Sequence, residues 1–325
     1  MPLADVRRPA VHRTDRLEDA VLAVLGGASV ENAARTADTE PALLSEAVER
    51  YQNAGRAALD AEPSGWHQAN IRFTDYPTGH RVFRAYLLPA LHAGPVGNWW
   101  FVRKHPHWRL RYLPAPDTAV EDAVCHVAEA LDSSVSWNVT AEWSPAPYEP
   151  EVTAFGGPDG MVLAHELFHV DSVGVINYQA TAGDQQEGLD AKAVSLLAMT
   201  MMMRAAGLEF GEQGDVWGLV EARRPLADDV TAEQVSGMVG PMRRLLLADA
   251  QPLLASETLA RVQSWISGLE ASGRALEQAA AAGQLSLGVR GILARHVLFH
   301  WNRMGFTLRQ QSIWSRAARE AVLGR

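Results

Sequence analysis

The sequence predicts an α+β fold: an antiparallel sheet from the N-terminal half, packed with a largely helical C-terminal half and preceded by a small three-helix module. Three observations predict it. Strand-like alternation is confined to residues 66–143, and helical periodicity fills the chain from residue 159 onward. Pro63, Ser64 and Gly65 separate both from residues 1–62, where the apolar spacing is helical. With 325 residues, 47% of them hydrophobic, the chain can build a small module over 1–62 and a large domain over 63–325.

Residues 17–59 read as three short helices. The first carries Leu17, Val21, Val24 and Leu25 and stops at Gly26 and Gly27. Ser29 caps the second, which carries Val30, Ala33 and Ala34. The third has Pro41 in its first turn and carries Leu43, Leu44, Ala47, Tyr51 and Ala54. The layout is that of a helix-turn-helix, but Glu46 and Glu49 stand against Arg50 and Arg56 on the third helix. That helix has no basic face for phosphates, so a docking or packing module is the better reading.

Residues 66–73 read as a strand and 80–91 as a helix. Two strands follow, 99–104 and 107–113, broken at Pro106, which has no N–H for a ladder. Residues 117–131 form an amphipathic helix through Val120, Val124, Ala128 and Leu131, a pattern that makes Cys125 a buried, inert thiol. A strand over 135–143 alternates Val135, Trp137, Val139, Ala141 and Trp143. After the Pro-rich stretch 144–150, helices are expected over 159–179, 185–206, 232–248, 256–281 and 289–323, with Met201, Met202 and Met203 in the core.

Composition excludes several classes of function. A net charge of −9 disfavours nucleic-acid binding, whose affinity comes from phosphate neutralisation, and docking on anionic lipid. No apolar run approaches the ~20 residues that span a bilayer. Residues 1–19 mix Arg with Asp and Glu and show no signal core, so a cytoplasmic location is expected. One cysteine forms no internal disulfide. Without a Gly-rich phosphate loop, no nucleotide or other cofactor is expected.

His165-Glu166-Leu167-Phe168-His169 matches the zinc-protease pattern H-E-x-x-H. On a helix the two histidines share a face one turn apart, with Glu166 as base and Glu187 as a third ligand. Against this, Ser172 stands where the extended motif has Gly, and the chain shows no export signal. Metalloproteolysis is therefore the remoter reading, and no metal is expected.

A different pattern accounts for the same segment. Residues 148–158, Tyr-Glu-Pro-Glu-Val-Thr-Ala-Phe-Gly-Gly-Pro, lead into Met161, Ala164, Phe168, Asp171 and Ser172. Upstream lie Trp66-His67-Gln68-Ala69-Asn70 and Trp100-Phe101-Val102-Arg103-Lys104, the latter followed by Trp108-Arg109-Leu110-Arg111. His300-Trp301-Asn302-Arg303-Met304 lies near the end. In this order the set resembles the thiopeptide-type bacteriocin biosynthesis proteins, stand-alone relatives of the lantibiotic dehydratase C-terminal (elimination) domain. The resemblance runs from Trp66 to the C-terminus.

It implies post-translational modification of a ribosomally made precursor peptide, leader plus dehydrated core, by one of two reactions. One is pyridine synthesis, a formal aza-Diels–Alder cycloaddition of two dehydroalanines followed by loss of water and of the leader. The other is elimination of glutamate from glutamylated Ser or Thr. Eliminating members carry Arg before the aromatic-Gly-Gly turn, where Ala154 stands here, and tend to have His at the position of Leu298. These departures put the cyclase first. A non-catalytic precursor-binding subunit is a third reading, and a homodimer or a complex with other pathway enzymes fits all three.

Period-two alternation sets Arg109 and Arg111 on one strand face, where they hold a carboxylate, polarise peptide carbonyls or pair with surface acids. Cycloaddition asks mainly for alignment, plus proton movement as an amide becomes its iminol and water leaves. Tyr148, Asp171, His165 and His300 are the candidates for that movement. Ser172 either hydrogen-bonds a substrate amide or braces its helix. Asn302 contacts substrate or, with Arg303, fixes its helix on the sheet. For His296 a core or surface role is expected. Asn70 of the opening strand completes the substrate-binding set. Trp66, Trp99, Trp100, Trp137 and Trp143 supply aromatic surface for stacking or for the core.

Overall fold

The computed structural model describes residues 11–60, 65–182, 190–248 and 260–324. It divides into two units between Ser64 and Gly65. The first unit holds α1 (Val11–Leu25), α2 (Val30–Thr36) and α3 (Pro41–Asp60). Its core is built from small residues, Ala20, Ala33 and Ala34, with Val21, Leu44 and Val48, so the short helices approach closely. Ser29 caps α2, its hydroxyl accepting from Asn32 N at 3.3 Å.

In the second unit four strands form one antiparallel sheet in the order β2-β3-β1-β4. These are β1 (His67–Phe73), β2 (Val96–Lys104), β3 (His107–Pro114) and β4 (Thr140–Ala146). β2 and β3 form a hairpin around His105 and Pro106, with Lys104 opposite His107. Between β1 and β2 the chain is helical: α4 (Gly79–Val82), a π-helical turn (Phe83–Leu87) and α5 (Leu88–Ala93). Pro89 has no N–H to return to the preceding turn, and the ladder widens there. Phe83 from this turn packs on Trp99, Phe101 and Trp108, which occupy one sheet face. The other face is more polar. Cross-strand pairing brings Gln68 and Trp100 beside Arg111, and Asn70 and Val102 beside Arg109.

A 3₁₀ turn (Val152–Phe155) and two glycines lead into α7 (Pro158–Ala182). Gly156 and Gly157 have φ of 89° and 102°, a left-handed backbone that side chains rarely adopt. α7 lies along the edge strand β2 and satisfies its main chain. Ser172 Oγ accepts from Phe101 N at 3.2 Å, and His169 Nδ1 lies 2.8 Å from the Trp99 carbonyl oxygen. An otherwise open edge is thereby closed. The described helices that follow α7 are α8 (Ala191–Ala205), α9 (Phe210–Arg223), α10 (Ala232–Leu247), α11 (Gln263–Ala281), α12 (Val289–Met304) and α13 (Leu308–Leu323).

Several expectations need correction. The helix expected over 117–131 is α6 (Val120–Ser136), extending into the expected strand over 135–143. Leu131 and Ser134 continue its buried stripe, and Ser134 Oγ donates to the Leu131 carbonyl. Asn138, at φ 56°, ends the helical run, so only the end of the expected alternation enters β4. Trp137 is left 59% exposed. The inward stripe of α6 is Ala123, Val127 and Leu131, whereas Val120 faces solvent. Cys125 consequently is exposed, not buried. The helix expected over 289–323 breaks at Gly305 (φ 82°), and Thr307 caps the second half. Helix α9 was not expected. Glycines 211, 214 and 218 weaken its signal, yet Gly214 serves close packing, because a Cβ there would lie 2.7 Å from the Leu323 side chain, which would have to shift. The starts expected for helices 185–206 and 256–281 lie outside the described residues.

Candidate active site

The polar sheet face, the segment after β4 and the first half of α7 meet around Arg111. Its side chain is enclosed, with the guanidinium 4.2 Å from the Trp100 ring centroid and 5.0 Å from that of Tyr148. Nε donates to Gln68 Oε1 at 2.7 Å, and Gln68 Nε2 donates in turn to Asn70 Oδ1 at 3.3 Å. Nη1 is buried with no hydrogen-bond partner among the described residues. Burial lowers the guanidinium pKa to about 10, well above neutrality. Arg111 is therefore a cation held by a neutral amide, with one donor nitrogen unused.

Tyr148 Oη lies 2.8 Å from His165 Nε2. Burial raises the Tyr148 hydroxyl well above its ordinary value. Burial, and then the Arg111 charge, lower His165 to about 4. At neutral pH both groups are uncharged, and the hydroxyl donates to Nε2 when Nδ1 carries the ring proton. Trp66 covers the imidazole, ring centroids 4.5 Å apart and 30° between planes. Behind Trp100 stand Phe168 at 4.5 Å and, stacked on it at 4.9 Å, Phe299 of α12. A cavity of about 20 Å³ between Arg111, Tyr148, Trp100, Phe155 and Met161 has room for about one water, and Glu149 and Glu151 also line it, the Glu151 carboxylate favouring the Arg111 charge from a distance.

Beneath this face lies a second polar cluster with no exposed surface. Asp171 accepts from Arg303 Nη1 at 2.6 Å and Trp265 Nε1 at 3.1 Å, and His300 Nδ1 is 2.9 Å away. Ser195 Oγ meets His300 Nε2 at 2.8 Å and accepts from Trp301 Nε1 at 3.1 Å. Burial would raise the Asp171 pKa, but His300 and Arg303 hold it down at about 2. The Arg303 guanidinium continues upward to within 4.8 Å of the Phe168 ring centroid and 5.9 Å of that of Trp100.

A family model described as "Lantibiotic biosynthesis dehydratase C-term" matches residues 66–322, the greater part of the chain. The chain belongs to the lantibiotic dehydratase C-terminal family. Solved structures share its fold. A tRNA-dependent lantibiotic dehydratase, MibB from Microbispora sp. 107891, superposes with a TM-score of 0.64 at 17% identity, over 82% of this chain and 29% of that one. The pyridine synthase TbtD from thiomuracin biosynthesis gives 0.59 at 12% identity, over 80% and 98%. TsrL gives 0.53 at 16% identity, over 80% and 96%. This chain thus corresponds to less than a third of the dehydratase but to nearly all of the other two. A search of curated proteins by sequence returns no match.

In this member of the lantibiotic dehydratase C-terminal family, the expected site residues separate into two groups. Arg111, Tyr148, His165, Trp66 and Trp100 pack against one another, Asn70 joins them through Gln68, and Arg109 lies opposite Asn70 on the same sheet face. Asp171, Ser172 and His300 are fully buried below it. Asn302 accepts from Gln311 Nε2 at 3.2 Å, tying α12 to α13. His169, the partner of His165 in the zinc-type motif, has Nδ1 on the Trp99 main chain, and Glu187 lies outside the described residues. Gln68, Phe168 and Phe299 were not foreseen at the site. Gln68 shares the Asn70 face by period two, so its strand signal was present, but its meeting with Arg111 depends on strand register.

Proposed function

We propose that this protein modifies a ribosomally synthesised peptide as a pyridine synthase. It joins two dehydroalanines by formal aza-Diels–Alder cycloaddition, after which water and the leader peptide are lost. Membership of the family and the length shared with TbtD support the general reading. The observation that carries the specific one is the uncharged Tyr148–His165 pair, 2.8 Å apart, beside a cation with a free donor.

Cycloaddition requires two alkenes held in contact and a proton moved between amide nitrogen and oxygen. The pair suits that movement: His165 Nε2 takes the proton that leaves the amide nitrogen, Tyr148 gives its own to the oxygen, and the proton on Nε2 returns to Tyr148 across their hydrogen bond, for roughly 10²–10⁴-fold in rate. Arg111 Nη1 binds the amide oxygen as it gains iminol character, and its low-dielectric setting strengthens the contact. Trp66 and Trp100 flank the space and restrict the peptide.

One observation favours the second reading, glutamate elimination. The unused Nη1 of Arg111, with Arg109 on the same face, would also hold the carboxylate of a departing glutamate. Incubation with precursor peptides followed by mass spectrometry separates the two. A dehydroalanine-containing peptide that loses water and its leader supports the synthase. A glutamylated peptide that loses glutamate supports elimination. Binding with no mass change in either peptide leaves a precursor-binding subunit.

A further inference from the structure

On the side of the sheet covered by Phe83, away from Arg111, a cleft of about 440 Å³ opens between α4, the π-helical turn and the C-terminal half of α7. Its lining combines His80, Arg81 and Arg84 with an apolar floor at the buried Ile176 and the half-buried Ala180; Ala85 is exposed beside them and Gln179 lines the α7 side. From below, Arg103 donates to Gln179 Oε1 while its guanidinium lies 4.3 Å from the Trp108 ring centroid. Arg103 Nε is buried without a hydrogen-bond partner among the described residues.

Among the described residues no carboxylate forms an ion pair with Arg81, Arg84 or Arg103. The concentration of positive charge is notable in a chain of net charge −9. Burial, then Arg103, lower the His80 pKa, so the positive charge at the cleft is carried by Arg81, Arg84 and Arg103. Such a rim selects anions and steers them in from solution. Guanidinium groups match carboxylates in geometry, and the apolar floor accommodates aliphatic side chains, which a bare oxyanion lacks.

We infer that this cleft docks an acidic segment of a peptide, remote from the segment that reacts at Arg111. The inference rests on the reading that the substrate is a peptide. Along α7 the rise from His165 to Gln179 is roughly 21 Å, which about seven extended residues would span.

Fluorescence anisotropy with labelled hexaglutamate and the full chain tests the assignment without any turnover, so its outcome is independent of which reaction is catalysed. Wild type binds the probe, and binding weakens with added salt. R81E/R84E, with both positions exposed, weakens it by about tenfold or more. R81Q/R84Q weakens it in the same direction and serves if the charge reversal perturbs folding. Two results overturn the docking site: no binding by wild type, or equal binding by the Arg81/Arg84 variants. Displacement of the probe by equimolar inorganic phosphate identifies a small-oxyanion site and overturns the peptide assignment.

Discussion

At the scale of single residues, the distinctive feature is a buried arginine whose partner is a glutamine. A carboxylate paired directly with Arg111 would neutralise it; instead Gln68 orients Nε, and among the described residues no carboxylate is within ion-pair distance, Glu151 acting only from across the cavity. Lysine cannot reproduce this, because one ammonium cannot both meet Gln68 and present a second, fixed nitrogen. Arg111→Lys is expected to lower kcat roughly ten- to a hundredfold with folding intact, measured by single-turnover mass spectrometry and thermal melting. An unchanged kcat would remove Arg111 from the chemistry. The aromatic supply expected from the sequence divides in the same way. Trp66 and Trp100 reach the site, Trp99 joins the core, and Trp137 stands in solvent because α6 outlasts its expected end.

Among the elements, α7 does most to define the site. Its first turns supply His165 and Phe168, its middle closes the β2 edge through Ser172, and its inner face carries Asp171. Close packing on α11 depends on Gly174, where a Cβ would lie 2.1 Å from the Trp265 indole. Gly174→Ala is expected to destabilise the protein by about 1–3 kcal/mol, read by denaturant titration, because Trp265 is also bonded to Asp171 and has little freedom to move. Wild-type stability in that variant would show that the contact relaxes freely.

The strands around Arg111 were legible because alternation with Trp and Arg is strong over 107–113, and α7 because its apolar spacing is long and continuous. Position along the chain did not reveal which side chains meet. His165 and Tyr148 are brought together by the turn at Gly156 and Gly157, and His300 is drawn into the core by a carboxylate 129 residues away. The same motif reading that marked Asp171 and His300 for chemistry located a buried ion network. Both uses favour charged groups at helix contacts, and sequence alone does not separate them.

For the whole molecule, the Asp171 cluster joins α7, α8, α11 and α12 and supports the rings behind the site. Arg303→Met leaves a buried carboxylate without its shortest hydrogen bond, and an expected loss of about 3–5 kcal/mol would appear in equilibrium unfolding. A loss below about 1 kcal/mol would show that His300 and Trp265 suffice.

Acid should act on the same core. Burial lowers His296 to about 3 and His165 to about 4, against 6.5 in the unfolded chain. Between those values the unfolded state binds more protons, so the stability held above 6.5 is lost as pH falls toward 4 and then 3. Asp171, held near 2 against 3.8, adds a further loss below 3.8. Melting temperature should therefore be level above pH 7 and fall steadily below 6.5. A level profile down to pH 4 would contradict the neutral, buried histidines.

The central claim, that Tyr148 and His165 move the proton for a reaction held in place by Arg111, is tested most directly by Tyr148→Phe under single-turnover conditions with the peptide that wild type converts. The ring and its packing remain and only the hydroxyl is lost, so the expected result is a rate reduced by roughly 10²–10⁴-fold with peptide affinity unchanged. A variant that converts the peptide at the wild-type rate would contradict the account.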